Sequence, residues 1–145
     1  MSDITLLAIV EALLQLSMII MVGLYFTFSN TVMRVLSQSR DGANTMIEIN
    51  KQILNPLFLT CFGLSGLAGL YFCFFHSGFQ SLAGIVFFIG TTLVTVFFNV
   101  PLNDKLKDAP PEDLSSLWQI YLEKWVFWNH VRTGCAVLSG LLLSV

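Results

Sequence analysis

The sequence predicts an all-α integral membrane protein, a four-helix up-and-down bundle with helical extensions on one side of the membrane. Three observations carry this. Of 145 residues, 55% are hydrophobic and 11% charged, and the mean hydropathy is +0.76, far from the balance of a water-soluble domain. Four apolar runs, Ile4 to about Leu36, Ile53 to Phe75, Phe79 to about Val100 and Trp125 to Val145, each hold the roughly 20 residues that cross a hydrocarbon core. All seven Lys and Arg fall in two regions that such a path brings to the same side.

In chain order, the first run exceeds what a span needs and continues beyond the bilayer. No Lys or Arg precedes it and no small-residue cleavage site follows a short apolar stretch, which argues against a cleaved signal peptide. Met46, Ile49, Ile53 and Leu54 form an amphipathic stripe leading to Asn55-Pro56, where the proline is expected to kink the entry to the second span. The link His76-Ser77-Gly78 between spans two and three carries no Lys or Arg. Pro110-Pro111-Glu112-Asp113 has the character of a helix start, with Leu114, Leu117, Trp118, Tyr121, Leu122 and Trp125 following at helical spacing. The expectation is one domain, residues 1–145, with helices over about 4–36, 53–76, 79–101 and 111–145.

Arg34, Arg40 and Lys51 flank the first connection, while Lys105, Lys107, Lys124 and Arg132 gather around the third. The positive-inside rule then makes both long connections cytoplasmic and turns both termini outward, in a bacterial inner membrane by default. A net charge of -2 gives no nucleic-acid footprint. Cys61, Cys73 and Cys135 lie within apolar runs at unrelated spacings, as packing residues rather than disulfides or metal ligands. Gly63, Gly66 and Gly69 provide small packing surface for a neighbouring helix or a second copy of the chain. The Phe residues around Phe72 to Phe75 and at Phe97-Phe98 read as lipid-facing bulk.

Polar side chains inside a span are costly and turn inward, so their positions locate a site. Ser29 and Asn30 end the first helix, and Asn50 and Asn55 begin the second. Thr91, Thr95, Asn99 and Asn103 form a stripe on the third, each four residues from the next. Trp125, Trp128, Asn129, His130 and Arg132 begin the fourth, with Trp125, Asn129 and Arg132 on one face and Trp128 and His130 on its flanks. All converge on the cytoplasmic end. Read blandly, Arg132 snorkels to lipid phosphate, the tryptophans form an interfacial belt and the asparagines cap helices; a shared site explains the common depth better.

Glu11 and Gln15, one turn apart near the opposite face, read first as hydrogen-bonding partners across helices and second as a proton path. His76 is expected to be a solvated or interfacial loop residue. No metal-ligand spacing occurs, and no cofactor is expected; a single axial ligand to a haem from His130 is the residual alternative. Nucleotide and nucleophile-elbow motifs are absent.

Asn99-Val100-Pro101-Leu102-Asn103 and Trp125-Val126-Phe127-Trp128-Asn129-His130-Val131-Arg132 resemble the anthrone oxygenase-like family of small membrane proteins. The resemblance extends to Gly23-Leu24-Tyr25-Phe26-Thr27 and the Asn50 to Pro56 segment, nearly the whole chain. It implies a four-helix membrane fold and cofactor-independent oxidation of an anthrone to an anthraquinone. The positions that match are Asn99, Asn103, Trp128, Asn129, His130 and Arg132. In such chemistry a neutral His130 would be the base. Arg132 and the asparagine amides would stabilise an enolate or peroxide oxygen, and Trp125 and Trp128 would hold a flat ring. Asn55 and Asn30 complete the expected substrate-binding set, with membrane lipid and a lipophilic small molecule as partners. The competing expectation is a non-catalytic binding or transport module for an anionic amphiphile or lipid, in which His130 stays exposed beside Lys124.

Overall fold

A continuous rod opens the chain because nothing from residue 2 to 38 breaks it: no proline occurs there and the glycine, Gly23, is tolerated within a long apolar helix. The computed structural model describes residues 2–145. The rod consists of α1 (Ser2–Thr27), a π-helical stretch (Phe28–Val32) and α2 (Met33–Gln38). Ser39 then adopts an extended backbone that ends it. α3 (Gly42–Ile53) folds back so closely that a Cβ on Gly42 would overlap the Leu36 carbonyl, a turn that only glycine permits. Its apolar stripe buries Met46, while Glu48, Lys51 and Gln52 are exposed.

The expected proline kink is instead a complete break. α3 stops at Ile53, Asn55 is extended, and its Oδ1 accepts the Phe58 N–H at 3.0 Å as the N-cap of α4 (Pro56–Phe75). Pro56 takes the first helical position, where its missing N–H is no loss. The link His76-Ser77 leads through Gly78, at φ 61°, into α5 (Gly78–Phe87). This rod continues through π-helical stretches Phe88–Leu93 and Thr95–Asn99 into α6 (Val100–Lys107), past the expected end near residue 101. α7 (Leu114–Leu143) begins three residues after the expected 111, because Pro110 and Pro111 belong to the preceding turn, in which the Asp113 N–H donates to the Pro110 carbonyl at 2.9 Å.

Among the described residues every regular element is helical. α1 packs on α4 and α7, α4 on α5, and α5 on α7. Leu14, Met18, Met21 and Tyr25 of α1 meet Ala68, Phe72, Phe87 and Ala136 in one core, so Phe72 is buried, unlike its exposed neighbours Phe74 and Phe75. A second core joins Met33, Leu36, Met46, Leu106, Trp118, Tyr121 and Trp125, drawn from α2, α3, α6 and the first half of α7. α4 and α5 cross at backbone contact: a Cβ on Gly84 would strike the Gly69 carbonyl and the Cys73 amide, and one on Gly66 would press Thr92. Two of the three expected packing glycines, Gly66 and Gly69, therefore face α5 and its π-helical continuation, whereas Gly63 faces open space.

Three described helices are long and apolar enough to cross a membrane: Thr5–Gln38, Pro56–Phe75 and Gly78–Lys107. α7, at 30 residues, is long enough, but Asn129, His130 and Arg132 interrupt its apolar half, so three helices meet the criterion where four were expected. Leu6, Leu13, Leu57, Phe74, Phe75, Phe97 and Leu141 are exposed, an outward apolar surface that suits lipid and not water.

At the end remote from the second core, Tyr71 donates to Glu11 at 2.6 Å and the His76 ring lies 3.3 Å from the same carboxylate. His76, expected to be a solvated or interfacial loop residue, is half-buried between Glu11 and Gln80. Glu11 follows the cross-helix reading; Gln15 is exposed.

Candidate functional site

The third rod carries its polar stripe through two π-helical stretches, Phe88–Leu93 and Thr95–Asn99. Along it Thr91 and Asn99 are buried and Thr95 and Asn103 half-buried. The Thr91 and Thr95 hydroxyls donate to the carbonyls of Phe87 and Thr91, both at 2.7 Å, a back-bonding that loosens the helical ladder there.

The stripe meets α7 step by step. Tyr121 donates its hydroxyl to Asn103 Oδ1 at 2.8 Å and accepts from Asn50 at 3.5 Å. Burial holds that hydroxyl above its ordinary pKa, so it stays protonated as a donor. Asn99 Nδ2 donates to the Trp125 carbonyl at 3.3 Å, and Arg132 Nη1 donates to Thr95 Oγ1 at 3.1 Å. The guanidinium lies 4.5 Å from the Tyr25 ring centre and 5.2 Å from that of Trp125, within cation–π range. Its Nη2 donates to Asn129 Oδ1. Asn129 Nδ2 in turn donates to Ser29 Oγ at 2.7 Å and to the Tyr25 carbonyl at 3.3 Å.

These groups surround a cavity of about 300 Å³ whose lining includes Tyr25, Phe28, Asn50, Thr95, Asn99, Asn103, Asp104, Trp125 and Arg132. That volume is in the range of small-molecule sites. Asn99 Oδ1, Trp125 Nε1 and Arg132 Nε are buried without a protein hydrogen-bond partner, on residues only 1%, 4% and 6% exposed. Orphaned buried polar atoms are rare and call for an occupant. Here they offer one acceptor and two donors.

Of the expected site residues, Asn99, Asn103, Trp125 and Arg132 line this cavity. Asn129 lies behind Arg132 and holds it. The other four lie elsewhere. His130 is exposed, with Nδ1 3.1 Å from Ser29 Oγ, and Trp128 stacks on Phe98 with ring centres 3.8 Å apart; each is turned away from the inward face by about 100° per residue. Asn30 is exposed and bonded to Thr31, and it is Ser29, at the π-helical stretch, that faces α7. Asn55 is consumed as a helix cap. Residues outside the expected binding set are Tyr25, Asn50, Asp104 and Tyr121. Tyr25 could have been found, since Met18, Met21 and Tyr25 recur at the spacing of a buried helix face.

The family described as anthrone oxygenase matches over residues 43–142, more than half the chain. No curated protein and no solved structure matches it. The matched stretch runs from the start of α3 almost to the end of α7, so it contains Asn50, Asn99, Asn103, Trp125 and Arg132 together. The chain belongs to the anthrone oxygenase family.

Proposed function

We propose that the protein is a membrane-embedded oxygenase that binds a lipophilic, anthrone- or quinol-like aromatic in this cavity. The observation that carries the reading is the set of orphaned atoms, Asn99 Oδ1, Trp125 Nε1 and Arg132 Nε, on residues that line a largely apolar cavity. A flat aromatic ketone with a free hydroxyl supplies acceptors for both donors and a donor for the acceptor. The rings of Tyr25, Phe28 and Trp125 supply the contact area.

The overall change turns a ring CH2 into C=O, with dioxygen reduced to water. Loss of a proton from that carbon gives an enolate, whose oxygen Arg132 stabilises where little water screens the charge. The enolate gives one electron to dioxygen, and the radical pair combines into a C–OO⁻ that takes back the proton first removed to give C–OOH. Loss of the second C–H proton with O–O cleavage leaves the ketone and water. His130 lies off the cavity lining, bonded to Ser29, which speaks against it as the base of the first step. Asp104 is the carboxylate on the cavity lining, 3.6 Å from Lys107 at the rim, and we assign it the proton.

Oxygen uptake with a hydroxyanthrone in nanodiscs tests the reading. Asp104→Asn should reduce turnover at least about 10²-fold, the usual worth of a general base, while His130→Ala should remain within about twofold of the parent. The reverse pattern returns the base to His130. If the unmodified protein consumes no oxygen with any anthrone it binds, the alternative holds, a module that grips an anionic amphiphile without turnover. The exposure of both His130 and Lys124 is the feature that favours that alternative.

The orientation is proposed on charge: the connections rich in Lys and Arg face the cytoplasm and both termini face outward, in a bacterial inner membrane. A reporter active only in the cytoplasm should be silent when fused after Val145 and active when placed near Asp108. Activity at Val145 would reverse the assignment.

A further inference from the structure

We infer that the cavity is loaded sideways, from the cytoplasmic leaflet of the bilayer, through a window between the α3–α4 break and α6; this rests on the cavity being the site of a lipophilic ligand. The end of the helix array offers no route. Met46, Leu106, Trp118 and Tyr121, all at most 7% exposed, close it with the second core. Among the lining residues Tyr25, Asn99, Trp125 and Arg132 are buried, whereas Lys51, Leu54, Val100, Asp104 and Lys107 are exposed. Those five sit on two edges only, the end of α3 with its break, and α6.

The break itself leaves the window open. Leu54 and Asn55 leave the helix, and Asn55 satisfies the cap with its own side chain, taking the Phe58 N–H at 3.0 Å and donating to the Gln52 carbonyl at 3.1 Å. No neighbouring element is needed there.

The two edges are graded in polarity. Toward the spans they carry Leu54, 63% exposed, and Val100, 41%, with Leu57, 76%, beside the break though off the lining, groups that dissolve in acyl chains. Toward the connections stand Lys51, one turn from Leu54 and 3.8 Å from Glu48, and Lys107, two turns from Val100 and 3.6 Å from Asp104, so that side is polar and charged. The mouth therefore straddles the zone where a flat aromatic with polar substituents collects in a bilayer. Such a molecule passes from acyl chain to cavity without crossing water.

The test uses Trp125 as the sole indole, in a Trp118→Phe, Trp128→Phe protein in nanodiscs. Two probes are compared: free 1,8-dihydroxyanthraquinone, and the same ring joined by a short linker to a phospholipid that cannot leave the membrane. Both should quench Trp125 fluorescence. Leu57→Arg, at an exposed position beside the break and off the cavity lining, should slow association and dissociation of the free probe together by at least about fivefold, with the equilibrium affinity unchanged within twofold, the signature of a gate. If the free ring quenches and the tethered one does not, or if Leu57→Arg leaves both rates unchanged, the window is not the entrance although the cavity reading stands. If neither ring quenches, the cavity reading fails as well.

Discussion

Arg132→Met should lower oxygen uptake with a hydroxyanthrone by about 10²- to 10³-fold, the scale on which a single oxyanion-stabilising donor acts. Methionine keeps most of the side-chain volume and removes the charge. The guanidinium is 6% exposed, packed over Tyr25 and Trp125, and anchored through Nη1 and Nη2 to Thr95 and Asn129, so its free Nε is aimed and needs no reorganisation when charge develops. Affinity should fall with rate, because an anionic or carbonyl oxygen meets the same group in the ground state. Arg132→Lys separates charge from shape: an ammonium keeps the field but loses the fork and the ring stacking, and about tenfold of the loss should persist. Uptake by Arg132→Met at the parental rate would remove the cation from the mechanism.

Asn129→Leu should destabilise the fold by about 2–4 kcal/mol, the range for stranding buried hydrogen-bonding groups beside a charge. Asn129 is fully buried and serves three partners at once: it accepts from Arg132 and donates to Ser29 and to the Tyr25 carbonyl. Leucine fills the volume and satisfies none of them. Thermal unfolding in one detergent, parent against variant, reads the effect, and Asn129→Asp should lie between the two, since it keeps an acceptor for Arg132 while losing both donors. A melting temperature equal to the parent's would mean that the bonds to Ser29 and Tyr25 are not what holds the first rod to α7.

Helix positions were legible because apolar runs and turn residues act locally. The errors came where one residue type can do two things. Proline at Asn55-Pro56 reads equally as a kink or as a helix start; the asparagine before it, able to cap, tips the outcome. The paired Pro110 and Pro111 suggest a first turn, yet they build the bend ahead of it. In the site, the spacing on α7 correctly grouped Trp125, Asn129 and Arg132 and set Trp128 and His130 on the flanks. Whether a flank faces cavity or lipid depends on where the neighbouring helices stand, which periodicity along one helix does not contain. Tyr121 and Asn50 lie 71 residues apart and touch only through the fold-back of α3. The stripe from Thr91 to Asn103 was visible, but the π-helical stretches that carry it have no simple residue signature.

The hydropathy of α7 bears on how the protein is made. The helices ending at Gln38, Phe75 and Lys107 are apolar enough to partition into a bilayer one at a time, as independent insertion requires. The last helix carries Arg132 and Asn129 at a depth where each alone opposes entry into lipid. During synthesis it emerges after the other three, and in the folded chain its two polar side chains are met by Tyr25, Ser29 and Thr95 of those earlier helices. In a membrane, insertion of the last helix would therefore be coupled to assembly, its solvent being the protein's own interior.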